Sequence, residues 1–424
     1  MTSSTSSSKS RINHTAPDDL RRHHVRRVVA LKTVVLGGGV IVLAMLMVNA
    51  LVAFIRSQVP SPFSIERIQT SAATLPAALA LPDNIHPVVY VFGSSLIEFG
   101  FSPAVFDARL KEQGIDSVSY NFGFGNSDPN IQQRFAGHFA DLFREQPRKV
   151  DLVVYEFAPF QATLRRAEHS GQLDHAAQAA IGDWRDFLEV AKHDHDSAME
   201  LFNTRYIRNG VPADAITSLL SVPLKKQSHP APKIQEDLTP PTSSLSLDFY
   251  RRLHQEWFRD QDPGSWRNAD RGGLPVTASD DTMALGAELM TRMQNPQRMQ
   301  RALESRIECC DIEDLNIDEK MLAAFIDSIR KAQSVSRRVD VLLMPRNGDI
   351  VHLSEQGKRN LKAALDRIKA ATGVKVVDFS EAPDYGIKWF FDTDHLTLFG
   401  GRVRFSRQLA DYYARNGLSA PARD

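Results

Sequence analysis

Two cysteines in 424 residues, and those two adjacent, leave this chain without the means to build a disulfide framework. A bridge between neighbours demands a strained ring, so Cys309 and Cys310 are expected as two ordinary thiols. Excess charge is missing as well. Lys+Arg and Asp+Glu both count 51, which gives a formal net charge of zero and removes any global electrostatic case for nucleic-acid binding. No internal repeat is visible, and no His/Cys cluster of the kind that holds a structural metal. What remains is a chain that is 42% hydrophobic and 24% charged, ample for one large core or two smaller ones.

The informative charges are local. RRHHVRR, residues 21–27, is basic and precedes TVVLGGGVIVLAMLMVNALVAFI, residues 33–55, in which no side chain is charged. As a helix at ~1.5 Å per residue this run is about 34 Å long, enough to cross a hydrocarbon core of roughly 30 Å. Positive charge beside a span is retained in the cytoplasm, so the N-terminus is expected inside and everything after Arg56 outside. Val48-Asn49-Ala50 resembles a cleavage site, but the apolar run continues through LVAFI beyond it, which favours an anchor over a cleaved signal. Gly37, Gly38 and Gly39 read as ordinary glycines of a span rather than a packing face.

Residues 1–32 form a polar, Ser/Thr-rich tail that ends basic and is expected to be disordered, and residues 56–85, with Pro60, Pro62, Pro76 and Pro82, read as a stalk. Folded alternation follows. HPVVYVFG is a strand, SPAVFDARLKEQG a helix ending on Gly114, SVSYNFG a strand, IQQRFAGHFADLFREQP a helix and VDLVVYEF a strand. This β-α-β-α-β order over residues 86–160 predicts a parallel sheet with helices on both faces. Residues 161–315 break the pattern and read as a large, mainly helical insertion with a Pro/Ser-rich loop, PLKKQSHPAPKIQEDLTPPTSSLS. Over 316–418 the alternation resumes: DEKMLAAFIDSIRKAQS, RVDVLLMP, SEQGKRNLKAALDRIKAATG, VKVVDFS and GRVRFSRQLADYYARNG read as helix, strand, helix, strand and helix. Two pieces distant in sequence thus complete one three-layer sheet of flavodoxin-like type.

In such sheets sites assemble outside the carboxyl ends of the strands. The first strand ends in Gly93-Ser94-Ser95, the second runs into Asn121 to Ser127, and Phe391-Asp392-Thr393-Asp394-His395 precedes the last helix. A serine, two glycines and an Asp/His unit at one edge are the equipment of acyl transfer. Serine needs a base to take its proton, and an imidazole oriented by a carboxylate is the usual one. Asp392 and His395 are three apart, so in the first turn of a helix they would share a face. GSS alone is a turn or a helix cap, and DxxH alone is common, so it is the joint occurrence that points to a Ser95, Asp392, His395 triad.

At these blocks the chain resembles the SGNH, or GDSL-type, hydrolases. Gly93-Ser94-Ser95-Leu96 matches the first block, with Ser95 as nucleophile, whose N–H also belongs to the oxyanion hole. Asn121 to Ser127 resembles the second block, whose oxyanion glycine corresponds to Gly125, with Gly123 as the alternative. Asp392-Thr393-Asp394-His395-Leu396 matches the last block. Two departures stand out: Ser94 occupies a position where the family usually has aspartate, and Phe160 lies near its oxyanion asparagine, with Gln161 beside it as a substitute. The loss of such a donor costs roughly 10² to 10³ in rate.

The GSS form, the anchor and the insertion resemble membrane-anchored members that modify cell-surface polymers, such as the alginate O-acetylation proteins and the protein of teichoic-acid D-alanylation. The resemblance implies a serine acyltransferase or esterase in the periplasm or outside the cell, held by one span in the cytoplasmic membrane. Beside a membrane-bound O-acyltransferase (MBOAT type), it would O-acetylate a polysaccharide through an acyl-Ser95. The alternatives are a non-catalytic scaffold or polysaccharide-binding subunit, and a simple carbohydrate esterase. No cofactor, metal or nucleic acid is expected. A metal at DTDH is disfavoured because three ligands on successive turn positions are not expected to converge. Arg346 and Asn126 are the candidate substrate contacts, although NGD after Arg346 also signals a surface turn. Glu156 is a buried group near the site or a satisfied structural one, His193 and His195 a solvated face, and Trp266 to Gly273 a loop that covers the pocket or an ordinary one.

Overall fold

A computed structural model gives the fold. It describes residues 17–58, residues 67–169 apart from 69, 70, 73, 83 and 126, residues 181, 184–203 and 205, isolated positions between 245 and 256, and residues 277–418. The chain divides into two units, Met1–Ser57 and Gln58–Asp424. In the first, one helix, α1 (Pro17–Gln58), contains a stretch long and apolar enough to cross a membrane, Val28–Leu51, with mean hydropathy 2.4. That stretch starts ahead of the charge-free run at 33–55 and takes in Lys32. Its large apolar side chains, among them Leu36 and Ile41, are exposed.

The second unit is built on five parallel strands. In chain order, β1 (Val88–Gly93) leads through the short α2 (Ser95–Gly100) and α3 (Pro103–Glu112) to β2 (Val118–Gly123); α4 (Pro129–Phe143) then leads to β3 (Leu152–Glu156). The region between the two halves holds α5 (Leu164–His169), α6 (Trp184–His193), α7 (His195–Phe202), α8 (Asp280–Met293) and α9 (Pro296–Cys310) among its described residues. The second half supplies α10 (Glu319–Val335), β4 (Val339–Leu343), α11 (Glu355–Thr372), β5 (Lys375–Asp378) and α12 (Gly401–Arg415). The sheet order is β2-β1-β3-β4-β5, and every pairing is parallel. The direction of winding reverses between β1 and β3, which is where ligands bind in open sheets of this kind.

Period-two alternation in the strands explains the layers. Tyr90, Phe92, Val153, Tyr155, Val341 and Leu343 face a core closed by α4, α10 and α11, while Val89, Val91, Leu152, Val154 and Leu342 face a second core closed by α3 and α12. With both faces covered, β1 has no need of polar alternation, and VVYVFG is buried throughout. Helix starts follow capping chemistry. Asp128 accepts from the N–H groups of Asn130 and Ile131, so α4 begins two residues ahead of the IQQRF pattern, with Pro129 in its first turn. Ser102 caps α3, and Gly114, at φ +80°, provides the left-handed residue after it.

Three expectations need correction. Residues 17–32, expected within a disordered tail, are helical as the start of α1. Part of the 56–85 segment is no stalk: Ile68, Leu75 and Ala78 are buried in the first core, and the Tyr90 hydroxyl donates to the Leu75 carbonyl at 2.6 Å. Apolar residues between the prolines make that packing favourable, since burying a side chain the size of Ile68 or Leu75 contributes ~1.5–3 kcal/mol. The two cysteines are joined to each other as a disulfide at the end of α9, where Asp311 turns the chain into the left-handed region at φ 52°.

Candidate functional site

The turn after β1 is fixed by its neighbour strand. Ser94, fully buried, caps α2 by accepting from the Leu96 N–H at 3.2 Å. Its own N–H donates to Glu156 Oε2 at 2.5 Å and its hydroxyl to Glu156 Oε1 at 3.1 Å. Glu156 closes β3, so a single carboxylate locks the strand exit from which Ser95 is presented. A side chain at Gly93 would collide with that carboxylate and with Ile97, which is why the turn requires glycine there.

The exit of β2 is also closely held. Asn121 donates from Nδ2 to the carbonyls of Ile97 and Phe101, at 2.9 and 2.7 Å, and accepts from the Gly123 N–H at 2.9 Å. Arg67, in the segment before β1, donates to the Gly123 carbonyl at 2.9 Å and to the Asn121 carbonyl at 2.7 Å. The Gly123 N–H is therefore committed to a side chain of its own strand, and a Cβ at Gly123 would press on the backbone N–H of Glu98. Gly123 serves close packing of β2 against α2. The Gly125 N–H points to the carboxyl of Glu98, which is buried in α2. Asn126 lies outside the described residues.

The DTDH unit is a loop ahead of α12 rather than the first turn of a helix. Asp392 Oδ1 accepts from the N–H groups of Asp394 and His395 at 3.0 and 2.9 Å, and the Phe391 N–H donates to the His395 carbonyl at 2.7 Å. This local closure, not helical periodicity, turns both side chains the same way. His395 Nδ1 lies 2.9 Å from Asp392 Oδ2, and its Nε2 lies 2.7 Å from Ser95 Oγ. The three residues nominated by the sequence thus form one hydrogen-bonded chain. The Phe99 ring, 5.5 Å from the imidazole centre to centre and in a T-shaped arrangement with it, packs beside it.

Two further groups join the chain. Asp394 Oδ1 lies 3.3 Å from His395 Nδ1, and Arg306, projecting from α9, sits 3.1 Å from Asp394. The same guanidinium lies 5.8 Å from the centre of the Phe160 ring. Asp394 is inside the quoted motif, but Arg306 carries no signal in the sequence: it is one of several cations on an amphipathic helix, and only packing brings it 88 positions forward to Asp394.

Burial and charge compete at this cluster. Burial works to neutralise His395, but Asp392 and Asp394 outweigh it and lift the imidazole to about 9. Asp392 responds in the opposite sense: burial would raise it, but the adjacent imidazole and three donated hydrogen bonds hold it well below the usual carboxylate range. Burial raises Asp394, with Arg306 and His395 opposing. Burial also lifts Glu98 and Glu156 to about 7, against the fields of Arg67 and His395 on the first and the Ser94 hydrogen bonds on the second. Four acids and a base with displaced pKa values at a strand-exit crevice are the pattern of a functional site.

The ligand atoms of Asp392, Asp394 and His395 lie within 4.8 Å of one another, so three potential metal ligands do converge, contrary to the expectation from their spacing. The loop closure on Asp392 is the physical reason. A cation there would compete with Ser95 and Asp392 for the two imidazole nitrogens and with Arg306 for Asp394.

The remaining candidates are scattered. Phe160 and Gln161 are buried in a 3-10 turn after β3, and the Gln161 side-chain Oε1 has no hydrogen-bond partner among the described residues. Arg346, after β4, pairs with Glu381. His195 is exposed at the start of α7. The side chain of His193, Trp266 to Gly273 and most of the Pro/Ser-rich stretch lie outside the described residues. No protein-family model matches the chain, and a search of curated proteins finds no match.

Proposed function

We propose that the chain is a membrane-anchored serine acyltransferase or esterase of SGNH type, acting on a cell-surface polysaccharide outside the cytoplasm. The observation that carries the reading is the continuous Ser95–His395–Asp392 hydrogen-bonded chain at the switch point of the parallel sheet. His395 Nε2 takes the Ser95 proton as Oγ attacks an acyl carbonyl, Asp392 holds the imidazole in the required tautomer and balances the imidazolium, and an acyl-Ser95 results. The oxyanion meets the N–H of Ser95, at the start of α2, while the Gly125 N–H that the resemblance assigns to the hole is engaged by the Glu98 carboxyl. Acyl transfer to a sugar hydroxyl, or to water, regenerates the serine. Where the family has aspartate in its first block, Ser94 is supported instead by Glu156 from the neighbouring strand.

The basic segment at the start of α1, ahead of its apolar stretch, supports a cytoplasmic N-terminus and an exported catalytic unit, with a membrane-bound O-acyltransferase as acyl donor. A specific observation also favours a second reading, a scaffold with little catalysis. The hole lacks the asparagine donor, with Phe160 in its place, and His395, lifted to about 9, is protonated in the resting site at neutral pH. A serine-directed fluorophosphonate, followed by intact-protein and peptide mass spectrometry, decides between the two. Adduct on Ser95 supports the enzyme, and no adduct on the folded chain supports the scaffold. Release of free acetate rather than acyl-sugar would identify the simple esterase.

A further inference from the structure

Beside the triad lies a small cavity of about 70 Å³. It borders the triad through Leu96, which follows Ser95, and through Thr393 and Asp394. Its wall is mainly apolar, with Ala158, Phe160, Leu343, Met344 and Val351 among the lining side chains. Polar groups interrupt it: Arg346, Ser380, Thr393 and Asp394 line it, and so does Asn347. Asn347, just after β4, lines the cavity, is fully buried, and has neither side-chain Oδ1 nor Nδ2 hydrogen-bonded among the described residues. Its backbone carbonyl, by contrast, is engaged, accepting from the N–H groups of Ile350 and Val351 at 3.1 and 2.8 Å, which fixes the residue in place.

A buried amide with both its donor and its acceptor unmet is costly, and native proteins keep such groups where a ligand or an ordered water completes them. We propose that this cavity is the acyl pocket of the site and that Asn347 selects a short, branched or linear acyl chain bearing one hydroxyl, such as a 3-hydroxyacyl group. The inference rests on the acyl-Ser95 reading for its place in the reaction. A hydroxyl both donates and accepts, matching the two unmet atoms of the amide. A sugar ring does not fit this wall, because its several hydroxyls would meet apolar side chains and remain unpaired. A simple acetyl group carries no hydroxyl and would leave Asn347 unmet.

The test compares two isosteres, 3-hydroxybutanamide and 3-methylbutanamide, which differ by hydroxyl against methyl. Their binding to the full chain in detergent micelles is followed by ligand-observed NMR titration, with wild type and Asn347→Leu side by side. Wild type is expected to prefer the hydroxy compound by about tenfold or more, and the leucine variant to lose or invert that preference. Equal affinities in wild type, or no binding of either compound because water alone fills the cavity, would overturn the proposal. The wild-type comparison decides the matter even if the variant fails to fold. Fluorophosphonate labelling of Ser95 in the same samples keeps the two readings apart. Labelling without hydroxyl selectivity removes the pocket and leaves the nucleophile, and selectivity without labelling does the reverse.

Discussion

Ser95 and His395 stand 300 positions apart in the chain, and their Oγ and Nε2 atoms lie 2.7 Å apart at the mouth of the sheet. Each is held by an element of a different half: Ser95 by the first turn of α2 after β1, His395 by the loop that Asp392 closes ahead of α12. A proton path of this length needs no rearrangement before chemistry.

Ser95→Ala and His395→Ala are each expected to abolish fluorophosphonate labelling; Ser95→Ala should melt close to wild type, whereas His395→Ala should melt lower at neutral pH because it leaves Asp392 and Asp394 without the imidazole. Labelling at another serine in the alanine-95 protein would falsify the assignment of the nucleophile.

The pH dependence follows from the imidazole. His395 must be neutral to accept the Ser95 proton, and the two aspartates lift it to about 9. The labelling rate should therefore climb with pH, about tenfold per unit, and level off above about 9. A rate that is already flat at pH 7 would mean that the two aspartates do not lift the imidazole in this way.

Arg306→Met removes the cation that faces Asp394. Arg306 opposes protonation of His395, so its loss should move the midpoint of the labelling profile upward. Breaking a partly buried ion pair also leaves an uncompensated carboxylate, a change that costs about 3–5 kcal/mol in comparable cases. Arg306→Lys should restore most of the midpoint. A profile unchanged in both variants would mean that Asp394 is not felt at the imidazole.

Stability should favour mild acid. The raised imidazole contributes stability that is fully present below its ordinary value of 6.5 and is lost as pH rises through about 9. Glu98, lifted to about 7 by burial, is likewise accommodated in its neutral form, and its contribution fades as pH rises from 4.5 through about 7. Glu98→Gln removes the second dependence. Calorimetry should show the variant melting above wild type at pH 8.5 and level with it at pH 5. The same difference at both pH values would assign the effect to packing.

Gly123→Ala separates packing from catalysis at the second block. The added methyl would press on the Glu98 backbone N–H and lie 2.7 Å from Ile97 Cβ, so α2 must shift. Overpacking of this kind costs about 1–3 kcal/mol, and the melting temperature and the labelling rate should fall together. A slow but fully stable variant would restore Gly123 to the oxyanion hole.

Much of this was legible in the sequence because the information is local. Strand alternation, Pro and Gly at the turns, and a charge-free run of helical length fix the elements and the apolar N-terminal helix; Gly93-Ser94-Ser95 and Asp392 to His395 advertise their chemistry in adjacent letters. The packing of Ile68 and Leu75 under β1, the loop rather than helix at Asp392, and the convergence of Asp392, Asp394 and His395 depend on contacts that no local pattern encodes. Tertiary structure alone decided that Glu156 would lock Ser94, that Arg306 would reach Asp394 from a helix between the two halves, and that Asn347 would face a cavity with its amide unmet. The physical reason is that periodicity states which side of an element is buried, whereas the partner it meets there, and hence its charge and hydrogen bonding, is fixed only when distant segments close on one another.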